Sequence, residues 1–256
     1  MPGVVRRNLL RACCAGLASL GLASCAPTHD WDYTGDAGPT HWGELDRAFV
    51  LAERGGSQSP VNILTADVIR AELPRLSVRY GTDQLRLVNN GHTVKIEVGP
   101  GHMLSDGARN YELAQFHFHA PSEHTIDSRH AQAEFHFVHA APDGHLAVLA
   151  VLIERGPAAT GYQPILDALP TQPGPRQAPR GANLALRTLL PAGLDVWAYD
   201  GSLTTPPATE GVRWFVLREP VMMSDEQIDR LRSAYDGNNR PVQPLHARWV
   251  LGSGAN

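Results

Sequence analysis

Between Leu76 and Glu154 hydrophobic and polar residues alternate over short segments, which is the pattern of β-strands that bury one face. Gly, Pro, Asn or Asp residues bound these segments, so we predict a series of short strands. They are expected at residues 76–80, 84–89, 92–98, 115–119, 134–139 and 146–154. Tight turns between successive strands favour antiparallel pairing. The pattern therefore predicts a mainly β (α+β) fold, built on a large, mostly antiparallel twisted sheet with a few short helices.

One segment near the C-terminal end has the signals of a helix. Ser224 is a typical N-cap residue, and Gln227 three positions later completes a capping box. We predict a helix over residues 224–235. A mass of 27.8 kDa is compatible with one large β-rich domain or with two, and the proline-rich residues 170–181 have the composition of a linker.

The first 25 residues have the features of an export signal. Arg6 and Arg7 precede an apolar run from Leu9 to Leu22, which is short for a membrane span. The sequence ending at Cys25 resembles a lipobox, which predicts a lipoprotein signal over 1–24, a lipidated Cys25 and a tether over 25–30. Ordinary cleavage near Ala23 or Ala26 is the alternative, and the arginine pair also resembles a twin-arginine signal. We expect an exported, periplasmic or cell-envelope lipoprotein that contacts a membrane only through this anchor.

Charge excludes one class of partner. Residues 26–256 carry 19 basic and 26 acidic side chains, so the mature chain has a net charge of −7. A nucleic-acid-binding surface is not expected from that balance. Lys95 is the only lysine, which we interpret as a compositional bias rather than a binding signal.

The candidate chemistry lies in two predicted strands with alternating histidines. Because side chains alternate across a strand, His117 and His119 share one face with Gln115. In the second strand, His136 shares a face with Glu134, and the twelve or so intervening residues suffice to turn the chain back. Three imidazoles can then converge on one point.

Three neutral imidazoles without a fourth protein ligand are the donor set of a catalytic Zn²⁺ site. No cysteine follows Cys25, which argues against a closed structural zinc site. Gln115 and Glu134 each precede a predicted ligand by two residues, so each can accept the other N–H of that imidazole and fix its tautomer.

The segments QFHFHAPSEH and AEFHFVH resemble the zinc-binding core of the α-class carbonic anhydrases. Further stretches match the same family in the same order: WDYTG, GPTHWGEL, QSPVNI, LVNNGH, YDGSLTTPP, EGVRWFVL and NNRPVQPL. Because matching stretches flank residues 170–181, we interpret that segment as a long surface loop and predict one α-carbonic anhydrase domain over 31–252. The resemblance implies hydration of carbon dioxide to bicarbonate by zinc-bound hydroxide, with Zn²⁺ as cofactor and carbon dioxide and bicarbonate as partners.

The resemblance also implies roles for other residues. Thr204 matches the threonine that orients the hydroxide, Glu123 matches the carboxylate to which that threonine donates, and His92 matches the proton-transfer histidine. Tyr33 matches an aromatic position of the N-terminal arm, in which Trp31 and Trp42 also lie. The positions that match the substrate pocket are Val138, Val148, Leu203, Thr205, Val212 and Trp214.

The sequence departs from the family pattern at several positions. Ala52 and Ala208 stand where many secreted relatives have cysteines, so we expect no disulfide in the mature chain. Lys95 stands where a polar neutral residue is frequent, and Asp32 where glycine is usual. Two alternatives to the enzyme are a non-catalytic domain of the same fold and a periplasmic lipoprotein that stores zinc, which would be expected to expose its ligands.

Overall fold

The computed structural model describes residues 31–253, in which the α-helices are short and the strands dominate. The α-helices are α1 (Trp42–Leu45), α2 (Leu51–Arg54), α3 (Gln163–Asp167) and α4 (Asp225–Arg232), and 3-10 turns lie at Gly35–Ala37, Arg47–Phe49, Thr65–Asp67, Thr160–Tyr162 and Leu186–Leu189. The strands are β1 (Asn62–Ile63), β2 (Ile69–Arg70), β3 (Ser77–Arg79), β4 (Thr82–Gln84), β5 (Leu87–Asn89), β6 (Val94–Glu97), β7 (Met103–Ser105), β8 (Asn110–His119), β9 (Thr125–Ile126), β10 (Arg129–His130), β11 (Ala133–Ala140), β12 (Leu146–Arg155), β13 (Asn183–Ala185), β14 (Val196–Ser202), β15 (Glu210–Leu217), β16 (Val221–Met223) and β17 (Leu251–Gly252). The mainly β fold predicted from the pattern is confirmed.

One large sheet organises the described part of the chain. Its central order is β2-β17-β14-β15-β12-β11-β8-β6-β5, with β3, β7 and β16 attached at the side. Neighbours such as β8 and β11 are antiparallel, whereas β12 pairs in parallel with both β15 and β16. The sheet is therefore mixed. A long connection, residues 156–209, separates β12 from β15, and it allows β15 and then β16 to lie beside β12 in the parallel sense.

The two faces of the sheet have different contents. The four phenylalanines of β8 and β11 are fully buried in the larger core on one face: Phe116, Phe118, Phe135 and Phe137. On the opposite face, a second core surrounds Val148, Tyr199 and Trp214 and receives Val61 and Ile63 from β1 and the residue before it. His117, His119 and His136 lie on this second face, because they alternate with the phenylalanines.

Several predicted boundaries differ from those observed. The segment predicted as one strand over residues 84–89 is divided, because Gln84 ends β4, which pairs with β13, and Leu87 begins β5, which pairs with β6. The helix predicted over 224–235 begins as expected, with Ser224 and Gln227 forming both bonds of the capping box, but ends at Arg232. Residues 170–181 form a loop whose Gln177 bonds the backbone of Leu87 in both directions.

Nothing in residues 31–253 combines the length and the apolar character that a helix needs to cross a lipid bilayer. The leader, the tether and Cys25 lie outside the described residues.

Candidate metal centre

Three histidines from two neighbouring strands come together on the second face of the sheet. His117 and His119 lie on β8 and His136 on β11, where His136 is directly opposite His117 in the antiparallel register. One ring nitrogen from each lies within 4.8 Å of the other two. The convergence predicted from the alternating pattern is what the structure shows.

A separate acceptor holds the second nitrogen of each ring. The Nδ1–H of His117 donates to Oε1 of Gln115 over 2.9 Å, and the Nε2–H of His136 donates to Oε1 of Glu134 over 2.9 Å. The Nδ1–H of His119 donates to the backbone carbonyl of Asn238 over 2.6 Å. These bonds select the tautomers. The nitrogens that remain unprotonated, each with a lone pair for a metal ion, are Nε2 of His117, Nε2 of His119 and Nδ1 of His136.

The arrangement fits a metal ion. Nε2 of His119 is buried and has no hydrogen-bond partner, which is costly for a polar atom unless a ligand satisfies it. Burial lowers the pKa of His119 to about 4 and also lowers the pKa values of His117 and His136, so the imidazoles are neutral at physiological pH. Three neutral nitrogens with no fourth protein ligand suit Zn²⁺ and leave one coordination position open.

Asn238 is a site residue to which the sequence analysis assigned no role. Its backbone carbonyl accepts the hydrogen bond from Nδ1–H of His119, its Oδ1 accepts from the backbone N–H of Ala120 over 2.9 Å, and its side-chain NH₂ donates to the carbonyls of Phe118 and His92. Its buried amide therefore ties one predicted ligand to the turn that carries His92. The NNRPVQPL motif includes Asn238, but only its position in space reveals the contact.

Glu134 supports more than His136. Its Oε1 also accepts from Nδ1 of His124 over 2.6 Å, and its Oε2 accepts from the backbone N–H groups of Glu123 and His124, each over 2.8 Å. Burial alone would raise the pKa of Glu134, but His124 and His136 outweigh it and hold that pKa well below its usual range. One ligand atom each of His124, Glu134 and His136 also lies within 4.8 Å of the other two, but Glu134 already bonds both imidazoles, so this group does not need a metal.

Glu123 lies beside the three histidines, as the resemblance implied. Its Oε1 accepts from the backbone N–H of Arg240 over 2.8 Å, whereas its Oε2 has no partner at normal hydrogen-bonding distance. Burial raises the pKa of Glu123 to about 7, and the charge of His136, the Arg240 bond and the Thr204 hydroxyl partly oppose that rise. Thr204 is therefore close enough to influence the carboxyl. The Thr204 hydroxyl and the Glu123 carboxyl group are neighbours, and Oε2 of Glu123 accepts no hydrogen bond.

Arg240 is a second residue that the sequence analysis did not identify. Its buried guanidinium donates to the side chain of Gln58 and to the carbonyls of Ser59 and Ala52, and it lies 5.5 Å from the Trp42 ring centroid. These contacts immobilise the backbone N–H that holds Glu123.

The aromatic arm lies next to the centre. The Tyr33 hydroxyl is buried without a partner, and burial followed by the charge of Glu123 raises the pKa of Tyr33 well above its usual range. The His92 ring stacks on Trp31, with ring centroids 3.7 Å apart and an interplanar angle of 9°. The Trp42 ring makes edge contacts with the rings of both Trp31 and Tyr33. These contacts place the His92 ring on the arm and Tyr33 near Glu123, and the roles expected for the two residues stay predictions.

An apolar wall lies along the same face, on one side of the histidines. Val138 pairs with Val148, and Val148 pairs in parallel with Trp214, so the three lie in one row. Val212 belongs to the same core, and Leu203 packs against it. Thr204 and Thr205 follow Leu203 in the turn after β14, and Thr204 is buried. The fold therefore brings five of the six predicted pocket positions to one side of the centre, and Thr205 follows them in the turn after β14.

A polar wall lies on the other side. Lys95 pairs with His117 and Glu97 pairs with Gln115 in the antiparallel register of β6 and β8, so both side chains are on the face of the histidines. The charge of Lys95 is one of the causes that lower the pKa of His117, after burial and the neighbouring histidines. Lys95 stands where relatives frequently have a polar neutral residue, and the register shows that its side chain lies on the face of the histidines.

The fold and this site define the class of protein: a domain built on a large mixed β-sheet, with three histidines that could hold a metal ion between an apolar and a polar wall. The family model described as "Eukaryotic-type carbonic anhydrase" matches residues 37–254. The chain therefore belongs to the carbonic anhydrase family, whose reaction is the reversible hydration of carbon dioxide to bicarbonate and a proton, and the resemblance seen in the sequence is confirmed.

Individual relatives agree. A carbonic anhydrase of Pectobacterium carotovorum is 40% identical over 230 residues, which cover 90% of this chain and 93% of the relative. The α-carbonic anhydrase of Thermovibrio ammonificans, solved with the inhibitor sulfanilamide, superposes with a TM-score of 0.84 at 42% identity and covers 87% of this chain and 99% of its own. Dioscorin, solved with ascorbate, has the same fold, with a TM-score of 0.81 at 29% identity over 87% of this chain and 97% of its own.

Proposed function

We propose that this chain hydrates carbon dioxide with one Zn²⁺ held by His117, His119 and His136. The observation that carries the proposal is the buried, unpartnered Nε2 of His119, which is aimed at the point where the free nitrogens of the other two rings meet. When bound, Zn²⁺ acidifies a water so that hydroxide forms near neutral pH, and carbonic anhydrase is itself the standard example of that effect.

The residues around the centre have separate tasks in this proposal. Three acceptors keep the metal-facing nitrogens unprotonated, because each accepts a hydrogen bond from the N–H on the other side of its ring. These acceptors are Gln115, Asn238 and Glu134. The Thr204 hydroxyl has a single proton, and donation to Glu123 would leave it able only to accept, which orients a protonated group at the open position.

In this proposal the substrate and the proton use different surfaces of the site. Carbon dioxide is apolar and uncharged, so the row of Val138, Val148 and Trp214 is a suitable surface for it. His92 is partly buried against Trp31 of the arm, and an imidazole, whose pKa is ordinarily about 6.5, can accept a proton from the site and pass it to buffer.

A stopped-flow measurement of carbon dioxide hydration, with bound zinc determined on the same sample, tests the proposal. We expect one zinc per chain, loss of activity with a chelator, recovery on adding zinc, and inhibition by sulfanilamide. His119→Ala should lose both zinc and activity, because two imidazoles do not replace a three-nitrogen site. Full zinc occupancy in that variant would refute the ligand assignment, and zinc binding without hydration would favour the alternative of a non-catalytic zinc-binding lipoprotein.

We also propose that the chain is exported and anchored by a lipid on Cys25. The apolar run of residues 9–22, the two arginines before it and the lipobox support this proposal. One acyl chain gives only marginal membrane binding, so a stable anchor requires the several chains of a lipoprotein.

A further inference from the structure

The polar wall places one fixed positive charge beside the metal centre. In an antiparallel pair the Cα atoms of opposite residues are about 4.5 to 5.5 Å apart, and their side chains point to the same face. Lys95 is opposite His117 in this register, which makes it the neighbour of a predicted metal ligand. Its side chain is 36% exposed, so it borders both the site and solvent.

Lys95 belongs to a short network of charges. Its Nζ is 3.3 Å from Oε1 of Glu97, and the other oxygen of Glu97 is 3.3 Å from a guanidinium nitrogen of Arg176, in the loop that covers this edge of the sheet. The network has two cations and one anion. Lys95 and Arg176 share the single carboxylate of Glu97, so the three side chains together carry a net charge of +1.

We propose that Lys95 is a specificity-determining residue that strengthens the binding of small anions, bicarbonate among them, at the metal centre. The inference rests on the proposed function, because it takes the three histidines as the place where the anion binds. Carbon dioxide is neutral and bicarbonate is not, so a fixed charge on the wall acts directly only on the anionic partner of the reaction.

The size of the effect follows from distance. A unit charge about 7 to 9 Å from a bound monovalent anion changes its affinity about 2- to 7-fold when the effective dielectric constant is about 40 to 80. Glu97 has the opposite effect, and its removal should strengthen anion binding by a similar factor. The effect should shrink as ionic strength rises, because the Debye length falls from about 10 Å at 0.1 M to about 3 Å at 1 M.

The test uses inhibition of the zinc-loaded enzyme by thiocyanate at low and high ionic strength. We expect Lys95→Gln to raise the thiocyanate inhibition constant about 2- to 7-fold and Glu97→Gln to lower it by a similar factor, and the double variant to lie near the wild type. Arg155→Gln is the matched control: it removes a cation from an exposed ion pair with Asp225, about 16 Å along β12 from Ala150, the neighbour of His136. It should leave the inhibition constant unchanged. Equal constants in Lys95→Gln and Glu97→Gln, or shifts in the same direction, would overturn the proposal.

Because Lys95 is the only lysine, it also provides a direct measurement of binding. Reductive methylation with ¹³C-formaldehyde keeps the charge and labels one side chain besides the N-terminus, and Lys95→Arg identifies its NMR signal. We expect thiocyanate to shift this signal saturably, with a dissociation constant equal to the inhibition constant. A signal that stays unmoved while thiocyanate inhibits would contradict the proposal. If the wild type bound no zinc or hydrated no carbon dioxide, the proposed function would fail instead, so the two failures are distinguishable.

Discussion

Replacement of Glu134 by glutamine tests the hydrogen bonding behind the metal centre with the smallest change of shape. The carboxylate accepts four N–H donors: Nε2 of His136, Nδ1 of His124, and the backbone N–H groups of residues 123 and 124. Glutamine has the same size, but one of its two ends is an NH₂ group, which donates and cannot accept. Either orientation of the amide therefore breaks two of the four bonds.

The two orientations predict different kinds of damage. If the amide oxygen faces the imidazoles, the two backbone N–H groups lose their acceptor, at a cost of about 1 to 3 kcal/mol each, or about 2 to 6 kcal/mol of unfolding free energy. If the NH₂ faces the imidazoles, His136 must carry its proton on Nδ1, the nitrogen that points to the metal position. In that case zinc competes with a proton for the same nitrogen.

We expect Glu134→Gln to weaken zinc binding about 10- to 100-fold, the usual effect of losing a partner behind a metal-bound histidine, and to lower the stability of the metal-free protein by the amount above. Competition with a fluorescent chelator measures the first quantity and urea unfolding the second, while ¹⁵N NMR of the histidine rings identifies the tautomer of His136. Gln115→Ala is the control, because Gln115 has a single imidazole to hold and no backbone donor. It should weaken zinc binding without the loss of stability. Wild-type zinc affinity together with wild-type stability in Glu134→Gln would refute the four-bond account.

Three further predictions address other parts of the molecule. His92→Ala should lower kcat several-fold in dilute buffer, leave kcat/KM for carbon dioxide nearly unchanged and recover with added imidazole; an equal fall in both parameters, unrelieved by imidazole, would rule out proton transfer by His92. Cys25→Ser should move the protein from the membrane to the soluble fraction with normal specific activity once the leader is removed, whereas wild-type protein found wholly in the soluble fraction would contradict the anchor. Burial lowers the pKa of His139 to about 3, below the value of about 6.5 in an unfolded chain, so the folded protein binds fewer protons and loses stability as pH falls below about 6.5, by up to about 1.4 kcal/mol per pH unit. His139→Gln should reduce the slope of unfolding free energy against pH between 6.5 and 4.5, and an unchanged slope would show that His139 is not the group responsible.

Local periodicity was sufficient to predict the centre of the site. A strand places residues i and i+2 on one face whatever its neighbours are, so the alternation of histidine and phenylalanine in β8 and β11 already placed His117, His119 and His136 together. The same rule identified Gln115 and Glu134 as partners of their rings. The capping box at Ser224 was equally local, because both of its bonds lie within four residues.

Tertiary structure decided which distant residues complete the site. The acceptor for His119 is Asn238, which is 119 positions away, and the backbone group that holds Glu123 belongs to Arg240, 117 positions away. Strand register decided that Lys95 faces the histidines, and chain packing decided that β12 has parallel neighbours and that β4 and β5 are separate strands. Alternation along the chain determines which residues share a face. The partners across that face depend on register and on loop closure, which are set by the packing of the whole sheet rather than by any short segment.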